Sequence, residues 1–549
     1  MRRLFILGMA LAAGSICFAQ TKTSTSPGNS VQRPKLVVGI VVDQMRWDFL
    51  YRYYERYATN GGFKRFLNQG YSCENTMIPY TPTITACGHT TVYTGSVPAI
   101  HGVTGNGWYD NNLRRTVYCT EDRTVQGVGG TGSAGEMSPR NMLVTTICDE
   151  MRLATNFKSK VIGIAIKDRG GILPAGHSAN AAYWYNSSTG EWMTSTYYMK
   201  ELPHWMKIFN SKKLADQYYK QNWNTLYPIN TYIQSSSDEK AYESKPLGTD
   251  AKGFPYNLEK FIGKNYGALA STPYGNTFTA SLAKAAVEAE DLGADNITDF
   301  LAVSFSSPDY VGHSFGPNSI EVEDTYLRLD KDLGDLFAYL DTKVGKGQYL
   351  VFLSADHAVA HVPGFLKENK IPAGTISTSG IMNRLNPQLK AKFGADRLIV
   401  SMSNYQVHLN HPVMDSMSLN EAPIKKWITD SLLKTEGVSQ VIDLDQIGAL
   451  PLNSTIKDMV ANGYFPQRNG DLQIIFKPQW IDGGSAGTTH GSWHPYDAHI
   501  PLLWYGWKIK PGKTNRETYM TDIAPTIAAL LKIQMPSGSV GKVIEEVLK

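Results

Sequence analysis

The chain is punctuated by short apolar runs, most of which end on a polar residue. Lys35 to Asp43 reads as a continuous β-branched run closing on a carboxylate. Lys160 to Ile166 leads into Lys167-Asp168-Arg169, and Tyr349 to Ser354 leads into Asp356-His357. Thr298 to Ser304 and Ile500 to Trp504 are further strand-like runs. Runs without polar alternation suit strands covered on both faces, as in a parallel sheet. Between them lie helical patterns at Gly62–Gln69, Asn276–Gly293, Glu321–Leu340 and Thr521–Leu531. This alternation predicts an α/β fold, a three-layer α/β/α sandwich around a mostly parallel central sheet. Two stretches break the rhythm, near 182–273 and 367–478, and are expected to be inserted cap segments. The first is crowded with aromatics, from Trp184 and Trp192 through Trp223 to Tyr232. Packing is the expected role of those rings.

The remaining features bound the setting. Arg2 and Arg3 precede an apolar run, Leu4 to Ala12, and small residues end at Ala19. That pattern predicts a signal peptide over 1–19, cleaved after Ala19, and a catalytic domain over 20–549 that is periplasmic or secreted. The run is too short for a permanent span, so no stable membrane insertion is expected. Formal charge is +4 with 42% hydrophobic residues, which argues against a nucleic-acid partner held by bulk charge. Cleavage would leave Cys73, Cys87, Cys119 and Cys148, whose pairing stays open.

Candidate chemistry begins at Tyr80–Asn106, where Thr83 and Thr85 flank Ile84 before a run able to open a helix. A helix N-terminus favours an anion, and a threonine hydroxyl there is a nucleophile only if its pKa is lowered, for which bound metal is one device. Asp43, Asp309, His313, Asp356, His357 and His490 supply carboxylate and imidazole without thiolate. Such ligands suit catalytic zinc, with manganese or iron as alternatives. Asp309 and His313 are four residues apart, within reach of one ion if a turn of helix intervenes. Lys167 and Arg169, two positions apart after a strand, are expected to face one pocket as a phosphate clamp.

As an ordered set, Asp43, Thr85, Asn106, Lys167-Asp-Arg169, Asp309-x-x-x-His313, Asp356-His357 and His490 resembles the alkaline phosphatase superfamily, most closely its PafA-type zinc phosphomonoesterases. The resemblance runs from VVGIVVDQMRWD to MTDIAPTIAALLKIQMPSG. It departs at Ala358, where many relatives carry glycine. The resemblance implies two Zn2+ ions, one held by Asp309, His313 and His490, the other by Asp43, Asp356, His357 and the Thr85 oxygen. It implies a Thr85 nucleophile, a phosphothreonine intermediate, and non-bridging oxygens bound by Asn106, Lys167 and Arg169. Small-molecule phosphate monoesters are the expected substrates, and a monomer the expected state. His89, His101, His361 and His494 are set aside as packing or supporting residues.

A phosphodiesterase or nucleotide pyrophosphatase of the same superfamily would share the metals and the threonine, but usually lacks the Lys/Arg pair. A sulfatase would need a C-x-P-x-R motif, which is absent; Cys87 is followed by Gly-His. A phosphoglycerate mutase would need no export signal. An exported phosphate- or metal-binding protein without turnover would leave Thr85 without a purpose.

Overall fold

The computed structural model describes residues 31–251, 253–448 and 452–549. The predicted signal segment lies outside them. Five apolar runs build the centre of a ten-stranded sheet. In spatial order these are Tyr349–Ser354, Leu36–Val42, Asp299–Phe305, Val161–Ala165 and Ala181–Asn186, all parallel. Every residue of these five strands is buried, which explains why their sequences show no alternation. Antiparallel strands extend both edges: His499–Gly506 beside Tyr349–Ser354, and Glu191–Ser195 beside Ala181–Asn186. The sheet with its helices is the α/β/α sandwich expected.

The boundaries carry physical reasons. Helix Gly62–Gln69 spans the predicted residues. The long helix Ile320–Leu340 starts one residue early because the Ser319 hydroxyl caps the Val322 N–H. Helix Tyr274–Ala289 buries Phe278, Leu282 and Ala286 along one stripe.

The two stretches of changed texture are built differently. The aromatic-rich one starts inside the main sheet, since both Ala181–Asn186 and Glu191–Ser195 pair there. Trp192 on the second of them and, farther along, Tyr219 and Trp223 are fully buried, and Trp223 Nε1 donates to Asp324 at 2.8 Å. The second holds a separate four-stranded antiparallel sheet, ordered Ile399–Ser401, Gln406–Leu409, Leu472–Phe476 and Val438–Asp443. Helices Thr378–Phe393 and Glu421–Leu432 pack on it around their own apolar core, with Leu389, Val407 and Ile428 inside. Cys73, Cys87, Cys119 and Cys148 are all buried and unpaired.

Candidate metal centre and nucleophile

The parallel strands deliver their chemistry to one edge of the sheet. Asp43 follows Val42, Lys167 follows Ala165 by two, and Asp356-His357 follow Ser354 by two. Asp309 and His313 lie on helix Ser307–Phe315, which leaves the end of Asp299–Phe305. Ligand sites of open α/β sheets gather at these carboxyl ends. Thr85 is the first residue of helix Thr85–Thr94, after Ile84 in extended conformation. Its Oγ1 stands 3.3 Å from His357 Nε2.

Three imidazoles are set in the same way. Nδ1 of His313 faces the Thr488 carbonyl at 2.8 Å, that of His357 the Ala358 carbonyl at 3.0 Å, and that of His490 the Thr83 carbonyl at 2.7 Å. A proton on each Nδ1 leaves each Nε2 as a lone pair, which is how metal-binding histidines are oriented. The Nε2 atoms point at carboxylates. His313 and His490 lie 3.2 and 3.7 Å from Asp309 Oδ1. His357 lies 3.7 Å from Asp43 Oδ1 and 3.4 Å from Asp356 Oδ2. The His357 and His490 rings stack at 3.4 Å between centroids.

Electrostatics leave room for a cation. Three buried carboxylates, Asp43, Asp309 and Asp356, face one buried ammonium, with Lys167 Nζ 2.8 Å from Asp43 and 2.6 Å from Asp309. Burial, with Asp356 beside it, pushes the Asp43 carboxyl well up against the pull of Lys167. Burial also works to raise Asp309, but His313 and Lys167 hold it well below the ordinary range. Burial lowers His357 and His490, favouring the neutral ligand form. Asp43 Oδ1 and Asp356 Oδ2 are buried without hydrogen-bond partners. Orphaned carboxylate oxygens beside free imidazole lone pairs fit divalent metal.

By distance alone the donors fall into two groups, Asp309 with His357 and His490, and Asp43 with His89 and Asp356. His89 is a weak donor, because both its nitrogens are engaged, with the Thr85 carbonyl at 2.9 Å and Ser304 Oγ at 2.8 Å. His357 lies close enough to both groups to serve either.

Asn106 and Arg169 flank this centre. Asn106 Oδ1 accepts from the Ala86 N–H at 3.0 Å, which places its amide next to Thr85. Lys167 and Arg169 do not share a strand face as the spacing suggested. The strand ends at Ala165 and Lys167 takes the N-cap position of helix Asp168–Ala175, so the pair sits at a strand-to-helix turn. Arg169 Nη1 donates to Tyr118 OH at 3.0 Å, and its buried Nε has no partner.

Sequence reasoning missed two residues. Tyr118 OH also donates to Asp168 at 2.7 Å, fixing the start of that helix. Gln44, in the left-handed region at φ 68, donates its side-chain amide to Asp309 at 2.7 Å and its backbone N–H to Asp356 at 3.0 Å. Its position after Asp43 was the available signal.

A family model described as type I phosphodiesterase / nucleotide pyrophosphatase matches residues 37–497. The chain belongs to this family. The type I phosphodiesterase / nucleotide pyrophosphatase family lies within the alkaline phosphatase superfamily, which agrees with the resemblance drawn from the motifs. Among similar proteins, alkaline phosphatase PhoV of Synechococcus elongatus is 53% identical over 97% of this chain and 96% of its own length. A protein of Myroides odoratus named as a calcium-transporting ATPase is 54% identical over 94% and 95%. No helix among the described residues is long and apolar enough to cross a membrane. The crystal structure of alkaline phosphatase PafA superposes with a TM-score of 0.93 at 51% identity, covering 95% of this chain and all of that one. A second PafA structure carries substitutions of a threonine, an asparagine, a lysine and an arginine. This family member has those residue types in that order at Thr85, Asn106, Lys167 and Arg169.

Proposed function

We propose that the protein is an alkaline phosphatase, exported to the periplasm or beyond, that hydrolyses small-molecule phosphate monoesters through a phosphothreonine at Thr85 with two Zn2+ ions. The observation that carries this reading is the cluster of three oriented imidazoles and three buried carboxylates, with His357 Nε2 3.3 Å from the Thr85 hydroxyl. The similar PhoV and PafA proteins, both named alkaline phosphatases, support the monoester assignment.

Asp309, His313 and His490 would hold one ion, and Asp43, Asp356, His357 and Thr85 the other. Bound there, the metal would supply the positive charge that makes a threonine hydroxyl nucleophilic and eases departure of the ester oxygen. Thr85 Oγ then attacks phosphorus from the side opposite the leaving group. One P–O bond forms to Thr85 as its hydroxyl proton is released to solvent, one breaks to the alcohol, and the alcohol oxygen takes up a proton from solvent. Attack by water on the phosphothreonine releases inorganic phosphate and restores the hydroxyl.

The flanking residues have spare donors for the transferred group. Asn106 uses its oxygen on the Ala86 N–H, leaving its NH2 for a non-bridging phosphate oxygen. Lys167 spends two of three N–H donors on Asp43 and Asp309, leaving the third. Arg169 offers its unpartnered Nε and its remaining fork. Such donors neutralise charge on the oxygens of a phosphoryl group.

The decisive experiment is at the nucleophile. Thr85→Ala should lose most turnover, Thr85→Ser should keep a substantial part, and quenching with labelled substrate should leave phosphate on Thr85. Label on Thr83, or near-parental rates in Thr85→Ala, would reassign the site. The family description itself favours a second reading, a phosphodiesterase on the same metals. Rates on a matched monoester and diester separate the two.

A further inference from the structure

The separate four-stranded sheet reaches the site with one of its turns. Strands Ile399–Ser401 and Gln406–Leu409 form a hairpin, and Asn404 and Tyr405 sit in its loop. Both are left-handed, at φ 56 and φ 61. Two successive non-glycine residues there are costly, and such strain clusters where function needs it.

Each residue grips a different part of the site. Asn404 Nδ2 donates to the Gly107 carbonyl at 2.8 Å. Its carboxamide also lies against Gly105, where any Cβ would overlap it. Asn106 is the residue between these two glycines. Tyr405 OH donates to the His490 carbonyl at 2.6 Å, and its ring fills the space a Cβ on Gly491 would need. Behind the turn, the Tyr405 carbonyl accepts from the Ile474 N–H at 2.7 Å and from Gln473 Nε2 at 3.0 Å. The Tyr405 ring meets Phe476 edge-on at 5.1 Å, so the turn is anchored on the core of the separate sheet.

We infer that Asn404 and Tyr405 are positioning residues, through which the inserted subdomain sets Asn106 for the phosphoryl group and His490 for the metal. The inference rests on the proposed roles of Asn106 and His490. It gives the insertion a task at the site beyond covering it: one rigid turn fixes a phosphate donor and a metal ligand relative to each other.

Asn404→Gly tests the first arm, since glycine keeps the left-handed backbone and removes only the carboxamide. kcat/KM for an aryl phosphate monoester should fall about tenfold or more. Competitive inhibition by inorganic phosphate should weaken in parallel, while the melting midpoint falls by no more than the few degrees that one lost hydrogen bond costs. In an Asn106→Ala background the same change should cost nothing further. Equal fold-losses in both backgrounds, or a parental rate in Asn404→Gly, would overturn this arm. A silent Asn106→Ala would instead sink the role given to Asn106. Tyr405→Phe tests the second arm: after dialysis of the holoenzyme against a weak chelator, elemental analysis should find less retained metal than in the parent. Equal retention would overturn it.

Discussion

Single residues at this site are read through the hydrogen bonds they have already spent. Lys167 and Arg169 both keep donors free, and a monoester dianion offers more non-bridging charge than a diester. Replacing both with alanine should therefore depress kcat/KM for a monoester far more than for a matched diester, each lost contact costing about 2–4 kcal/mol. The two losses need not add, because one phosphoryl group is held. Equal losses on both substrates would favour the phosphodiesterase reading. Gln44 supports a second residue-scale prediction. Gln44→Met keeps the backbone N–H to Asp356 but removes the donor to Asp309. Activity or metal retention should fall about 10- to 100-fold. Titration with a competing chelator checks it, and parental affinity together with parental kcat/KM would refute it.

At the level of elements, the site depends on helices that begin where they should. The helix Ile147–Ala154 shows how much a start can carry. Thr146 and Asp149 form a reciprocal capping box. Asp149 also accepts from Ser178 Oγ at 2.7 Å and faces His177 Nδ1 at 3.4 Å. Burial works to raise the Asp149 carboxyl, but hydrogen bonds from His177, Thr146 and Ser178 hold it down at about 2. Burial lowers the His177 imidazole, but Asp149 more than offsets this and raises it. The Asp149 contribution is thus complete above an unfolded value near 3.9 and is lost as pH falls toward about 2. The His177 contribution is complete below about 6.5 and is lost as pH rises through its raised value. Asp149→Asn should cost about 2 kcal/mol, most between about pH 4 and pH 6.5. Parent and variant compared by urea unfolding across that range provide the check. A penalty that does not change with pH would reject the linkage.

For the whole molecule, the buried charge imbalance links metal to stability. With Asp43, Asp309 and Asp356 set against Lys167 in one pocket, a bound cation should stabilise the native state. The gain is about 4 kcal/mol when free metal exceeds its Kd about 1,000-fold. Calorimetry should show a lower melting midpoint after exhaustive chelation, restored together with activity by zinc. A midpoint and a rate both indifferent to chelation would contradict the metal assignment.

The central sheet was legible because burial on both faces writes itself into composition. Leu36–Val42 and Tyr349–Ser354 can hardly be anything but interior strands. The polar residues closing such runs were legible too, since a carboxylate after a buried strand interrupts the pattern at the edge where ligands bind. Edges and insertions were not. Ala181–Asn186 joins the main sheet although its aromatic texture suggested a cap, because aromatic residues suit a strand and a packed loop equally. Lys167 and Arg169 do not share a strand face because the strand has ended at Ala165 and a helix begins at Asp168. Ring orientation was likewise beyond local reading: the partners of His313 and His490, Thr488 and Thr83, lie 175 and 407 residues away. The sequence by itself determined which residue types gather at the strand ends. Only the tertiary structure decided which nitrogen of each imidazole faces the carboxylates and which inserted turn holds Asn106 and His490, because those are contacts between segments with no fixed separation along the chain.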